Sequence, residues 1–290
     1  MAELQVYKTL WGVTEPLDEL LPRLRSEGYA GVEVCLIYAT ESDKGKLLAA
    51  TQQRLTKLVV MLQTSGKSVA DHVASLDAQL ADAVQYRPVK INIHGGEDCW
   101  SFEQSCEYFT AFEALQSKFQ AQLAHCPLLH ETHRGRILYS PWASLPLLRA
   151  YPSLLLTADL SHWVVVSERH LHGFAEVMQI VAERTRHIHT RPSSTQHIQL
   201  SGHELRSPAH ADDLAFFCGY WRAIFAAQAK ALCEVSIDPE LGPFPYALVR
   251  PGAGAGAEAK APGQSEVDED IAYVVDIVRV LFEEVARDAT

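Results

Sequence analysis

Residues 57–94, KLVVMLQTSGKSVADHVASLDAQLADAVQYRPVKINIH, hold one complete structural phrase. A β-rich run (57–63) passes through a polar turn into a helical stretch (68–85), and a second β-rich run follows at 88–94. Strands joined through a helix pair in parallel by a crossover, because a short turn suffices for antiparallel strands. The phrase recurs. Further strands are expected at 5–11, 30–36, 126–131, 153–159, 186–191 and 232–240, with helices at 16–27, 43–54, 101–123, 141–150, 168–183, 210–230 and 269–286. Eight such units in 290 residues predict a single (β/α)8 TIM barrel over 1–290, since about 250 residues is typical for that fold. The competing architecture is an open doubly wound sheet, but neither GxGxxG nor GxxxxGK[ST] follows the first strand. One segment breaks the rhythm. Residues 251–268, PGAGAGAEAKAPGQSEVD, have no apolar period and read as a flexible insertion before the last helix. A solvated loop is the plainer reading of it, and a lid over a site the sharper one.

Composition narrows the class. With 48% hydrophobic residues the chain is not disordered, and no apolar run reaches the ~18–20 residues that cross a bilayer. Met1-Ala2-Glu3-Leu4 lacks the basic and apolar prelude of a signal peptide. The six cysteines form no CxxC pair, which suits reduced thiols and a cytoplasmic location. A net charge of −11 would repel polyanions, so neither nucleic acid nor an acidic membrane surface is expected as a partner. The outlying figure is 13 histidines, roughly twice ordinary usage.

Side chains alternate across a strand, and one face of each barrel strand points into the closed interior. In 88–94 the polar set is Lys90, Asn92 and His94; in 186–191 it is His187, His189 and Arg191. In 153–159 Thr157 and Asp159 share a face, and in 232–240 Glu234, Ser236, Asp238 and Glu240 do. The alternating apolar residues belong under the helices, so the polar sets should face inward. For one strand a hydrogen-bonded polar core layer explains this. Four strands together point to a ligand-rich funnel at the carboxyl ends, where barrels carry their chemistry.

One donor from each late strand end gives Glu131, Asp159, His189 and Glu240. Three oxygens and a nitrogen suit one divalent ion, Mn²⁺, Mg²⁺, Co²⁺ or Zn²⁺. Glu234 competes with Glu240 but lies about 20 Å lower along the strand at ~3.3 Å per residue, so Glu240 is preferred. His133 shares a face with Glu131, and His162 follows Asp159 by three residues over the same opening. With His94, His187 and Arg191 they are candidate substrate contacts, although a hydrogen-bonded core or rim role is equally open to His133, His162 and His187. Trp11, Trp100 and Trp163 each follow a strand end and could stack on a sugar-like substrate or simply pack against loops. His72, His125, His170, His172, His203 and His210 are expected to be solvated, and Trp221 to be core.

On HETHRGR (130–136), TADLSHW (157–163), HIHTR (187–191) and DPELGPFPY (238–246), and more weakly on INIHGGEDCWS (91–101), the chain resembles the xylose isomerase-like barrel superfamily of sugar phosphate isomerases and epimerases. The resemblance covers roughly residues 5–250 and implies that Glu131, Asp159, His189 and Glu240 hold the metal. It also implies that His162 and Arg191 serve the substrate side. Endonuclease IV-type repair enzymes share the barrel but use further His and Asp ligands, including an Asp-x-His pair not found after residue 191. The function these features imply is a metal-dependent isomerase or epimerase of a small sugar or related polyhydroxy carbonyl compound. Glu131 or Glu240 would move the α-proton through an enediolate-type species. A dehydratase or lyase on a similar substrate, or a non-catalytic sugar- or metal-binding barrel, are the alternatives. Oligomeric state is left open, a homo-oligomer included.

Overall fold

The computed structural model describes residues 3–248 and 261–288. Eight parallel strands close a barrel in chain order: β1 Gln5–Thr9, β2 Gly31–Cys35, β3 Lys57–Gln63, β4 Lys90–His94, β5 Leu128–Glu131, β6 Leu155–Ala158, β7 Thr185–His189 and β8 Ser236–Asp238. β1 pairs with both β2 and β8, which completes the closure. The helices are α1 Leu17–Ser26, α2 Glu41–Gln52, α3 Val69–Ala83, α4 Phe102–Lys118, α5 Pro141–Ala150, α6 Leu160–Ser167, α7 Ala175–Arg184, α8 Gly202–Leu205, α9 Ala211–Lys230 and α10 Gln264–Asp288. No helix among the described residues is long and apolar enough to cross a membrane.

Local chemistry places the boundaries. Ser68 and Ser101 open α3 and α4 with reciprocal capping boxes to Asp71 and Gln104, which satisfy donors that a helix start leaves unpaired. The period-two faces then sort the layers. Leu58, Val60 and Leu62 of β3, Ile91 and Ile93 of β4, and Ile188 of β7 pack outward into the core beneath the helices. Their alternates, among them Asn92, Glu131, Thr157 and His187, are buried inside the barrel.

Three expectations change. The final helix begins at Gln264 rather than 269, so residues 264–268 of the expected insertion are its first turns; 251–260 lie outside the described residues. Asp268 of that turn is held by Lys8, whose amine on β1 is buried and 2.7 Å away. A second change is α6, which starts one residue beyond β6, ahead of the expected helix at 168–183, because Asp159 caps it through the Ser161 amide. The third is His72. It is buried rather than solvated, since the first turn of α3 tucks under the β4 end and its Nδ1 meets Thr64 Oγ1 at 2.8 Å. Trp221 is core, as expected.

The Lys8–Asp268 pair fastens α10 to the barrel wall. Asp268→Ala is expected to destabilise the fold by about 1–2 kcal/mol, because it strands a buried ammonium while the lost partner was itself partly solvated. Urea denaturation of the variant and the parent measures it.

Candidate functional site

The carboxyl ends of β5 to β8 bring Glu131, Asp159, His189 and Glu240 together, with one ligand atom of each within 4.8 Å of all the others. Each is fixed by a different local device. Glu131 ends β5 and accepts Asn92 Nδ2 and His94 Nε2 (2.7 Å) on Oε2, which leaves Oε1 aimed at the centre. Asp159 spends Oδ1 on the start of α6, through the Ser161 amide, so Oδ2 is left facing Arg191 and His189. His189 is held on Nε2 by Glu33 Oε2 at 3.1 Å. Its Nδ1 therefore points into the cluster, 2.8 Å from Glu240 Oε2 and 3.6 Å from Glu131 Oε1.

Glu240 arrives by a route that strand parity does not describe. β8 stops at Asp238, and Glu240 sits in the left-handed region at φ 47°. Non-glycine residues rarely adopt that conformation, and strain of this kind collects at functional positions. Asp238 Oδ1 accepts the Glu240 amide at 2.8 Å and holds the turn. Glu234, the rejected competitor, lies outside β8 and is exposed.

The electrostatics favour a positive occupant. Glu33, Glu131, Asp159, Asp238 and Glu240 are all buried, and of these Asp159 and Glu240 pair with the buried guanidinium of Arg191. Burial raises the carboxyl of Asp159 to about 6, against the opposing pull of Arg191; burial together with Glu33 raises Asp238 well above the usual range. For His189 burial acts to lower the pKa, yet Glu240, Glu33 and Glu131 outweigh it and hold the imidazole well above its ordinary value. Such a centre pulls for positive charge, and a proton and a cation compete for it. Glu131 Oε1, His189 Nδ1 and Glu240 Oε2 are buried without a hydrogen bond although they crowd one another. They meet one another as ion pairs, Nδ1 lying 2.8 Å from Glu240 Oε2, but without a directed hydrogen bond. Buried polar atoms left so are costly, and three converging ones are a donor arrangement that a divalent ion satisfies.

The other expected residues fall into two groups. His94, His133, Arg191, Glu240 and Trp11 line a cavity of about 780 Å³ at the barrel mouth. Trp11 packs edge-on against Tyr246 (4.8 Å between ring centroids). The rest do not line this cavity. Trp163 is fully buried and donates its indole N–H to the Leu138 carbonyl, because the start of α6 turns it inward under the loop. Trp100 packs on His72 and Tyr108 behind the β4 loop. His187 lies beneath His189, bonded to Glu33 and Ser236. His162 is also buried. It accepts from Arg191 at 2.9 Å on Nε2 and packs tilted against His133 with 3.8 Å between ring centroids, and burial with those two neighbours keeps it neutral. Its contact is with Arg191, not with the open cavity.

Glu33 was missed by the sequence reading. It is a lone carboxylate on the inward face of an otherwise apolar strand, GVEVC, and touches both His187 and His189. Burial opposes its ionisation, but the two imidazoles outweigh that and hold it well below the carboxylate range. A carboxylate that fixes the far nitrogen of a metal-facing histidine sets its tautomer and basicity.

One wall depends on a glycine. A Cβ on Gly242 would lie 2.1 Å from the Trp11 ring. Gly242→Ala is expected to push Trp11 off the cavity wall and to cost roughly 1–3 kcal/mol of stability; a red-shifted tryptophan emission and a lowered melting temperature are the measurements.

No family model matches the sequence, and no curated protein matches it at a significant level. Solved structures do. The fold is similar to an L-ribulose 3-epimerase (TM-score 0.63, 14% identity, covering 100% of this chain and 97% of that one). It is similar to a xylose isomerase domain protein from Alicyclobacillus acidocaldarius (0.56, 14%, 96% and 99%). Endonuclease IV from Thermus thermophilus is a further match (0.56, 13%, 97% and 99%). At these identities the likeness is one of fold alone, the closed eight-stranded parallel barrel.

Proposed function

We propose that this xylose isomerase-like barrel is a divalent-metal-dependent isomerase or epimerase of a polyhydroxy carbonyl compound. One observation carries the reading: four ligand-bearing side chains converge at the carboxyl mouth, three of them through buried atoms that crowd together without a hydrogen bond. Glu131, Asp159, His189 and Glu240 would hold the ion. Bound there, a divalent cation supplies a Lewis acid for adjacent carbonyl and hydroxyl oxygens and offsets negative charge as an α-proton leaves.

The chain's own residues supply the rest. Glu240 lines the cavity and can take a proton from a carbon facing it and return it; Glu131, pinned by Asn92 and His94, is the second glutamate of the cluster and would serve a substrate drawn in to the ion. Arg191 is held rigid by Asp159, Ser161 and His162 and presents its charge at the same wall, where it can fix a substrate oxygen. His94 and His133 line the same cavity and can offer ring nitrogens to hydroxyl groups. Against DNA as substrate stand the net charge of −11 and the carboxylate-rich centre.

The test is solvent proton exchange. Protein loaded with Mn²⁺ is incubated in D₂O with a panel of ketoses and hydroxy ketones, and α-carbon deuteration and products are read by NMR. Deuterium at the α-carbon with an isomeric product is expected. Absence of exchange across the panel would sink proton abstraction, and loss of water in place of isomerisation would move the assignment to a dehydratase.

A further inference from the structure

The cavity is too large and too apolar on one side for a simple sugar alone. At about 780 Å³ it falls in the range of pockets that enclose drug-sized ligands. Its polar end is the cluster of Glu240, Arg191, His94 and His133. From there it extends over the ends of β1, β2 and β3 towards α1 and α2, along Leu10, Val13, Leu17, Val34, Leu47 and Met61. Trp11 and Tyr38, both exposed at the surface, flank this arm.

The polar groups of the arm are already paired. Glu15 receives Arg23 Nε at 3.2 Å, Asp43 receives the Thr40 hydroxyl at 2.7 Å, and Gln63 Oε1 receives the Tyr38 hydroxyl at 2.7 Å. Cys35 contributes a neutral thiol, because burial pushes its pKa up to about 11. Among the described lining residues Arg191 is the cation, and it sits at the other end, engaged with Asp159 and Glu240. A phosphate placed in the arm would find Glu15 and Asp43 among its lining residues and no uncommitted cation beside them, since Arg23 is engaged by Glu15 and Glu27. An apolar group would find the half-buried side chains of Leu10, Val13 and Met61, backed by the core residues Leu17, Val34 and Leu47.

We infer that the substrate is amphiphilic: a polyhydroxy carbonyl head at the carboxylate cluster, carrying an uncharged aliphatic or aromatic substituent that fills the arm over β1–β3. This rests on the proposed reaction for the identity of the head, while the arm's preference for an apolar group is a binding property that can be measured without turnover.

A matched series with one head separates the two: D-fructose, 6-O-hexanoyl-D-fructose and D-fructose 6-phosphate, titrated calorimetrically into Mn²⁺-loaded protein. Each buried methylene is worth roughly fourfold in affinity, so the hexanoyl ester is expected to bind at least about 10-fold tighter than the free sugar, and the phosphate more weakly than either. Val13→Asp places a charge on the arm's half-buried wall, and Ala39→Trp narrows it at a separate point; either variant, once circular dichroism shows it folded, should reduce the ester's advantage below about threefold. An ester that binds no better than fructose, or an advantage that survives in both variants, overturns the inference. α-Proton exchange on the same three compounds reports separately on the reaction. Tight ester binding without exchange leaves the arm standing and removes the proposed chemistry; exchange with the phosphate ahead of the ester does the reverse.

Discussion

Replacing His189 by alanine is expected to weaken Mn²⁺ binding at least about 100-fold in equilibrium dialysis, with little change in the far-ultraviolet dichroism of the barrel. His189 is the nitrogen donor among the four clustered residues, and its Nδ1 lies nearest the point where the unsatisfied atoms of Glu131 and Glu240 converge. Without it the remaining carboxylates Glu131, Asp159 and Glu240 surround a gap and repel one another. Glu33→Gln is the informative companion. It touches no other member of the four, yet it fixes the far nitrogen of His189 at 3.1 Å. Loss of such a partner costs 10- to 100-fold in metal affinity elsewhere, and the same range is expected here. Undiminished metal in His189→Ala would refute the centre. Undiminished metal in Glu33→Gln would confine the damage to Glu33's assigned role.

How far this centre was legible in the sequence depends on which physical rule each residue obeys. All eight strands are present because β-rich runs bounded by turns follow local rules. Asn92, His94, His187 and His189 face inward as strand alternation requires, since apolar Ile91, Ile93 and Ile188 must lie under helices. Glu240 reached the expected end of the barrel by a different path: a positive-φ turn after a strand that had already ended. Of the two readings open for Trp163, stacking on a substrate or packing against loops, it takes the second, because Asp159 caps a helix directly after β6 and turns the indole inward. His72 was misplaced because amphipathic spacing does not reveal which loop covers a helix's first turn. Glu33 carried a signal that went unused. A single carboxylate between Val32 and Val34 on a buried strand must find cationic or imidazole partners, and two inward histidines were already assigned.

Arg191→Met should be the most destabilising single change at the site. Arg191 is 1% exposed and holds Asp159, while its Nη1 donates to the Glu240 carbonyl at 3.2 Å and its Nε to Ser161 at 3.1 Å. Methionine fills similar volume without charge, so the loss is electrostatic more than one of packing. Breaking a buried pair from one side typically costs about 3–5 kcal/mol, which for a chain of this size lowers the melting temperature by roughly 5–10 °C. The pH dependence identifies the stranded group. Burial already raises Asp159 to about 6 with Arg191 in place, and removal of the guanidinium raises it further. A carboxyl raised in the folded state contributes its full stability below its unfolded pKa near 4 and loses that contribution as pH rises through the folded value. The gap between variant and parent should therefore be small near pH 4 and widen above pH 6 in metal-free protein. Mn²⁺ should close part of it at pH 7, because a cation among Asp159, Glu131 and Glu240 replaces the missing charge. A gap that stays constant across that range and ignores Mn²⁺ would mean that Arg191 acts through packing, and that Glu131, His189 and Glu240 do not share a cation with Asp159.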